Sequence, residues 1–251
     1  MRERSVRDML ALLRSEKLKM RHSFGGLLPL SAAMLQIFIS LMLSRGTDFF
    51  TINAWNWWYT MILPGMLAVL CYLNMQKEKK QHYANMLLTS IAPDYCWMSK
   101  IFYCAVKLLC ANLIFFIGVF AGGLLFGDSV SPAAGLMAAI LLSVCYLWSI
   151  PLYLMLSARF GMFAAVFVCM GLTVGSLILL GATKLWWLCP ASIPFRLMCP
   201  VLGIMPNGLL VEPGSRYMNP AVIFPGILLS LLWFAAFTFM TARWFRRAGT
   251  K

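Results

Sequence analysis

Six stretches of the chain, 24–43, 57–75, 108–126, 133–157, 161–182 and 221–242, contain no Asp, Glu, Lys, Arg or His. Each runs about 19 to 25 residues, and a helix rising 1.5 Å per residue needs about 20 to cross ~30 Å of hydrocarbon. Hydrocarbon offers the backbone no water, so such runs must satisfy their own hydrogen bonds as helices. A soluble helix of that length keeps a polar face, and these do not. The pattern predicts an all-α integral membrane protein of six transmembrane helices. They are placed at about 24–43, 57–75, 102–126, 133–157, 161–182 and 221–242, in a single membrane domain over 1–251.

The basic residues give the expected orientation. A net charge of +13 is compatible with nucleic acid, but its distribution follows the spans. Sixteen of the 21 Lys and Arg fall before span 1, between spans 2 and 3, between spans 4 and 5, or after span 6. Four (Arg45, Lys184, Arg196 and Arg216) fall on the other side, and Lys107 sits at the mouth of span 3, where its stem can snorkel. This positive-inside bias predicts a multi-pass protein of the plasma membrane with both termini cytoplasmic, and no nucleic acid is needed to explain the charge.

Before span 1, Val6, Met9, Leu10 and Leu13 recur at helical spacing and are interrupted by Arg14, Glu16 and Lys17. No apolar core of a cleaved signal peptide forms there. Residues 1–23 are expected to hold a basic amphipathic helix lying along the cytoplasmic interface. Of the eight cysteines, Cys189 and Cys199 share the outer side. A disulfide between them is possible in an oxidising compartment, though spacing alone does not establish it.

The aromatic cluster Phe49, Phe50, Trp55, Trp57, Trp58 and Tyr59 stands where span 2 enters from outside, the position of an interfacial belt. Contact with an amphipathic ligand or a role in gating is the second reading, for Trp55, Trp57 and Trp58. Pro64, Pro151 and Pro225 fall inside spans and are expected to kink them. Gly171 and Gly175 form a G-x-x-x-G that permits close helix approach. The outer turn Pro206-Asn207-Gly208 is a turn sequence in its own right, with substrate contact or gating as the alternative.

The span centres hold no ionisable relay of the kind that coupled transporters use. The two histidines, His22 and His82, have no partners at metal spacing, so no metal site is expected. No G-x-x-x-x-G-K-[ST] loop is present to hold ATP, and no catalytic constellation appears. A channel, a scaffold and a permease driven by a separate motor remain. The segment "NMQKEKKQHYANMLLTS", 74–90, then becomes informative, since a cytosolic motor needs a polar, ordered element to dock on. As a helix, 77–90 places Lys79, Tyr83 and Met86 near one face and Glu78, His82 and Asn85 near another. A solvated charged loop is the plainer alternative.

The stretch "KEKKQHYANMLLTSIAPDYCWMSKI" resembles the cytoplasmic region of ABC-2-type permeases in Glu78, Leu87 to Ser90, Pro93 and Lys100. "LLRSEKLKMRHS", "WNWWYTMILPGMLAVL" and "WWLCPASIPFRLMCPVLGIMPNGLL" are similar to lantibiotic-protection permeases of the MutE/EpiE type. The resemblance runs nearly end to end. It implies an ABC-2 permease-like fold and a non-enzymatic permease subunit that expels lantibiotic-like peptides from the membrane of a Gram-positive bacterium. It implies as partners two copies of a separate ABC ATPase, which would bind ATP and Mg, and a second related permease or a second copy of this chain. Lys77, Glu78, Lys79, Lys80, His82, Tyr83 and Met86 would then form the ATPase-coupling region. Export of another drug, a lipid or a glycan, or a non-transporting scaffold or sensor role, stays open.

Overall fold

The computed structural model describes residues 2–21, 23–45, 47, 49–80, 93–127, 130–182 and 185–248. These residues fold as helices: α1 (Arg2–Arg21), α2 (Phe24–Ser44), α3 (Phe49–Trp57), α4 (Leu63–Lys80), α5 (Pro93–Phe126), α6 (Pro132–Cys145), α7 (Ser149–Phe160), α8 (Met162–Ala182), α9 (Ser192–Leu202) and α10 (Ile223–Ala248). No strand forms among them; one isolated bridge pairs Ile204 with Leu210. Among the described residues, four stretches are long and apolar enough to cross a membrane: Phe24–Ser44, Phe49–Glu78, Pro93–Phe126 and Pro220–Arg247. The bent pair α6 and α7 makes a fifth if it is one span. The expected span at 161–182 is helical over Met162–Ala182, 21 residues.

The helix at 49–80 is the axis of the bundle, packed against α2, α5, α7 and α8. It begins at Phe49, so most of the expected outer loop before span 2 is already helix. α3 passes into α4 through one π-helical turn, Trp58–Ile62, in which the Leu63 N–H donates to the Trp58 carbonyl five residues back. In that register the next donor would be residue 64, which is a proline without an N–H. The Tyr59 carbonyl is thereby orphaned inside the core, and the Tyr146 hydroxyl donates to it at 2.6 Å.

Tyr146 stands at the break between α6 and α7, where the axis turns by 48°. Pro151 cannot donate to the Leu147 carbonyl; the Ile150 N–H does so instead at 3.2 Å, tightening the turn. The sequence expects a kink here, and the structure makes it a full break. Pro225 lies in the first turn of α10, where a missing N–H costs no helical bond, so no kink is required there. Neither Gly171 nor Gly175 has a neighbour within 4 Å of where a Cβ would stand, so their G-x-x-x-G makes no close helix contact among the described residues.

Two further expectations are revised. Phe50, Trp55, Trp58 and Tyr59 are core residues, not an interfacial belt; only Phe49 and Trp57 of that cluster are exposed. Trp58 stacks on Phe115 at 4.2 Å between ring centroids, and Trp55 meets the same ring edge-on at 5.1 Å. The Trp58 indole N–H, which needs a partner once buried, donates to Asn112 Oδ1 at 2.9 Å, and Asn112 donates to Ser143 Oγ at 2.9 Å. The expected outer segment 183–220 is not a simple loop either. Its helix α9 buries Ile193, Phe195, Leu197, Met198 and Cys199 against α6 and α8.

Replacing Tyr146 by Phe leaves the Tyr59 carbonyl buried without a partner. We expect a loss of about 1–3 kcal/mol, read as a lower thermal unfolding midpoint in detergent, with helix content unchanged.

Candidate functional site

At one end of the bundle, α1 lies across the start of α5 and the end of α4. α1 carries Glu16 on the same stripe as Leu12 and Met20, spaced four apart so that they share a face. Glu16 and Met20 are buried, while Arg14, Lys17 and Leu18 are exposed. The helix expected to rest on a membrane interface therefore turns an acid inward against α5.

That acid meets Lys100, whose residue is only 1% exposed. Lys100 Nζ lies 3.1 Å from both Glu16 oxygens, 3.1 Å from Glu78 Oε1 and 3.3 Å from Asn74 Oδ1. Three N–H donors thus have acceptors on three residues. Asn74 Nδ2 donates to Glu16 Oε2 at 3.2 Å. Lys19 Nζ joins Glu78 at 2.6 Å and Glu16 at 3.0 Å. Two carboxylates and two ammoniums balance, as burial of charge requires. Among the described residues Glu78 Oε2 has no hydrogen-bond partner.

Lys77 donates to the Lys19 carbonyl, in the last turn of α1, where carbonyls lack helical partners and cations are favoured. The turn from α1 into α2 is tight: a Cβ on Gly26 would stand 2.8 Å from the Met20 carbonyl oxygen. Lys107, two helical turns after Lys100, donates to the Gly26 carbonyl at 3.0 Å rather than extending freely to an interface. Burial alone would lower the pKa of the Lys19 ammonium, but Glu16 and Glu78 hold it above its ordinary 10.5. Its contribution is therefore complete below pH 10.5 and is lost only as the pH rises through the raised value.

Of the expected coupling residues, Lys77 and Glu78 belong to this network, and Glu78 is 1% exposed. Its carboxylate is engaged inside the chain rather than presented on a surface. Lys79 and Lys80 close α4; His82, Tyr83 and Met86 lie outside the described residues. Glu16, Lys19, Asn74 and Lys100 were not singled out together from sequence. The available signal was that Glu16 and Glu78 are two of only eight acids in the chain, both set among cations at the same boundary.

The same end gathers the last turns of α10. Trp97 stacks on Phe245 at 4.8 Å and donates its indole N–H to Thr241 Oγ1 at 3.1 Å, and Arg246 pairs with Asp94 at 3.0 Å.

The opposite end holds the residues expected outside. Met205 to Gly208 form a turn closed by the Gly208 N–H on the Met205 carbonyl at 2.9 Å. Gly208 has φ +84°, the left-handed conformation that Asn-Gly sequences favour. Asn207 Oδ1 accepts from the Leu209 N–H at 3.1 Å, so its side chain is spent on the turn. Asn56, between Trp55 and Trp57, donates to the Pro206 carbonyl at 3.1 Å and to Met205 O at 3.2 Å. The structure thus joins the turn to the tryptophan segment, with only Trp57 of the three tryptophans exposed. Arg196 ties down the remaining strap, donating to the carbonyls of Tyr217 and Arg216 at 2.8 Å each. No bond joins Cys189 and Cys199, which are free thiols. Cys189 lies 3.5 Å from Ser176 Oγ, and Cys199 donates to the Phe195 carbonyl.

Comparison with protein-family models, with curated proteins and with solved structures gives no match.

Removing the central cation exposes the energetics of the network. Lys100→Met leaves two carboxylates facing each other in a buried site, and we expect it to cost about 3–5 kcal/mol. In a double-mutant cycle with Glu16→Gln, measured by thermal unfolding in detergent, the two changes should be coupled by about 0.5–3 kcal/mol. Additive effects would show that the pair contributes nothing.

Proposed function

We propose that this chain is the membrane-embedded permease subunit of an ABC-2-type exporter, which expels lantibiotic-like peptides at the expense of ATP hydrolysed by a separate subunit. In this reading the bent pair α6 and α7 is the fourth span and α8 the fifth, giving six spans with both termini in the cytoplasm. The segment between α4 and α5 is where the ATPase docks, through residues including Lys79, Lys80, His82, Tyr83 and Met86. ATP and Mg are bound by that partner, and a second permease, related or identical, completes the assembly.

The observation that carries the reading is the buried network of Glu16, Lys19, Asn74, Glu78 and Lys100. It fastens α1, α4 and α5 together at the two places where the docking segment enters and leaves the bundle. A force applied to that segment reaches three helices at once instead of bending a loose loop. Packed ion clusters pass on displacement because they hold discrete arrangements rather than deforming continuously. The resemblance of residues 77–101 to ABC-2-type permeases supplies the transporter class, and that of residues 12–23, 55–70 and 186–210 to lantibiotic-protection permeases supplies the cargo class.

Two measurements test this. The triple variant His82→Ala, Tyr83→Ala, Met86→Ala should insert normally but no longer retain an ATPase with a phosphate-binding loop when the full chain is purified from its own membranes; undiminished retention would refute the docking assignment. Cells lacking the chain should show a several-fold lower inhibitory concentration for at least one member of a lantibiotic panel. No shift for any member would remove the peptide assignment and favour another cargo.

A further inference from the structure

α10 is the most exposed of the candidate spans, with 11% of its apolar window buried inside the chain. Its last turns carry Arg243, Arg246 and Arg247, and these three side chains line an open hollow of about 410 Å³. The Arg243 guanidinium sits 4.2 Å from the Phe239 ring centroid, so the first charge is held where the apolar surface ends. Phe239 and Met240 are both exposed just below it. Arg246 Nε engages the Asp94 carboxylate at 3.0 Å.

We propose that this hollow binds the headgroup of an anionic phospholipid. Guanidinium forks match phosphate oxygens in pairs, and basic clusters at the cytoplasmic ends of spans attract anionic lipids. A zwitterionic headgroup brings a cation that the arginines repel. An acidic peptide or a nucleic acid would meet the charges but leave Phe239 and Met240 uncovered, whereas a lipid has acyl chains for them. The ring beneath Arg243 orients the guanidinium over the chains rather than out into water. The site rests on α10 crossing a bilayer with its basic end among the headgroups, and not on the transport reading.

The full chain, purified in detergent and offered equal phosphatidylglycerol and phosphatidylcholine in mixed micelles, is read by native mass spectrometry for retained lipid. Wild type should retain phosphatidylglycerol preferentially, and Arg243→Gln with Arg247→Gln should reduce that retention about tenfold. This variant leaves the Arg246–Asp94 pair in place, and an unchanged unfolding midpoint confirms that it folds. Equal retention by variant and wild type overturns the site, as does displacement of the lipid by millimolar inorganic phosphate, which would mark a free-anion site. Extraction of the chain from its membranes by alkaline carbonate would instead overturn the placement of α10, so the two failures are separate.

Discussion

The contact between Lys100 and the Glu16 and Glu78 carboxylates is the constraint on which one end of the molecule depends. Each charge taken alone from water into a packed site costs several kcal/mol, so none of the three is stable there without the others. Glu16 comes from a helix that precedes the spans, Glu78 from the end of the axial helix and Lys100 from the first turns of α5. α5 is 34 residues long, or about 51 Å at 1.5 Å per residue, and so exceeds the ~30 Å hydrocarbon thickness. Lys100 lies in the second turn of α5, where its charge is buried by protein. Docking of α1 is thereby specified by charge matching, and its hydrophobic residues need only follow.

A second defect-and-repair pair sets the middle of the bundle. The π-turn at Trp58–Ile62 and Pro64 together strip the Tyr59 carbonyl of its helical donor, and Tyr146 supplies one from the break in the neighbouring helix pair. The π-turn and the break between α6 and α7 therefore face each other, and the second supplies the donor that the first lacks. In hydrocarbon this is close to obligatory, because neither irregularity could turn to water. Trp55 and Trp58, three residues apart and so on one helix face, both meet Phe115, and Asn112 accepts from the Trp58 indole N–H.

Helix positions were legible in the sequence because hydrocarbon forbids charge over a fixed length. The break at Pro151 was legible as a place of weakness, but not its 48° bend. Burial of the aromatic cluster was not legible, since rings with one polar tip suit an interface as well as a core, and only the partner across the bundle decides. α9 was hidden for a related reason: a helix of 11 residues is too short to register as a span, and Arg196 within it reads as exposed. The charge network was the least legible element, because Glu16 and Lys100 are 84 residues apart. Local patterning placed Glu16 on a basic helix and Lys100 between spans 2 and 3, and each had an ordinary explanation alone.

The cluster of charges at Lys77 to Lys80 divides on these grounds into two parts. Lys77 and Glu78 are consumed within the chain, one closing α1 and the other pairing with Lys19 and Lys100. Lys79 and Lys80 are the last residues of α4. A positive-inside bias accounts for the three lysines but not for Glu78, which is buried. An acid among lysines at a membrane boundary is therefore more informative than the lysines around it, because topology explains the cations and does not explain the acid.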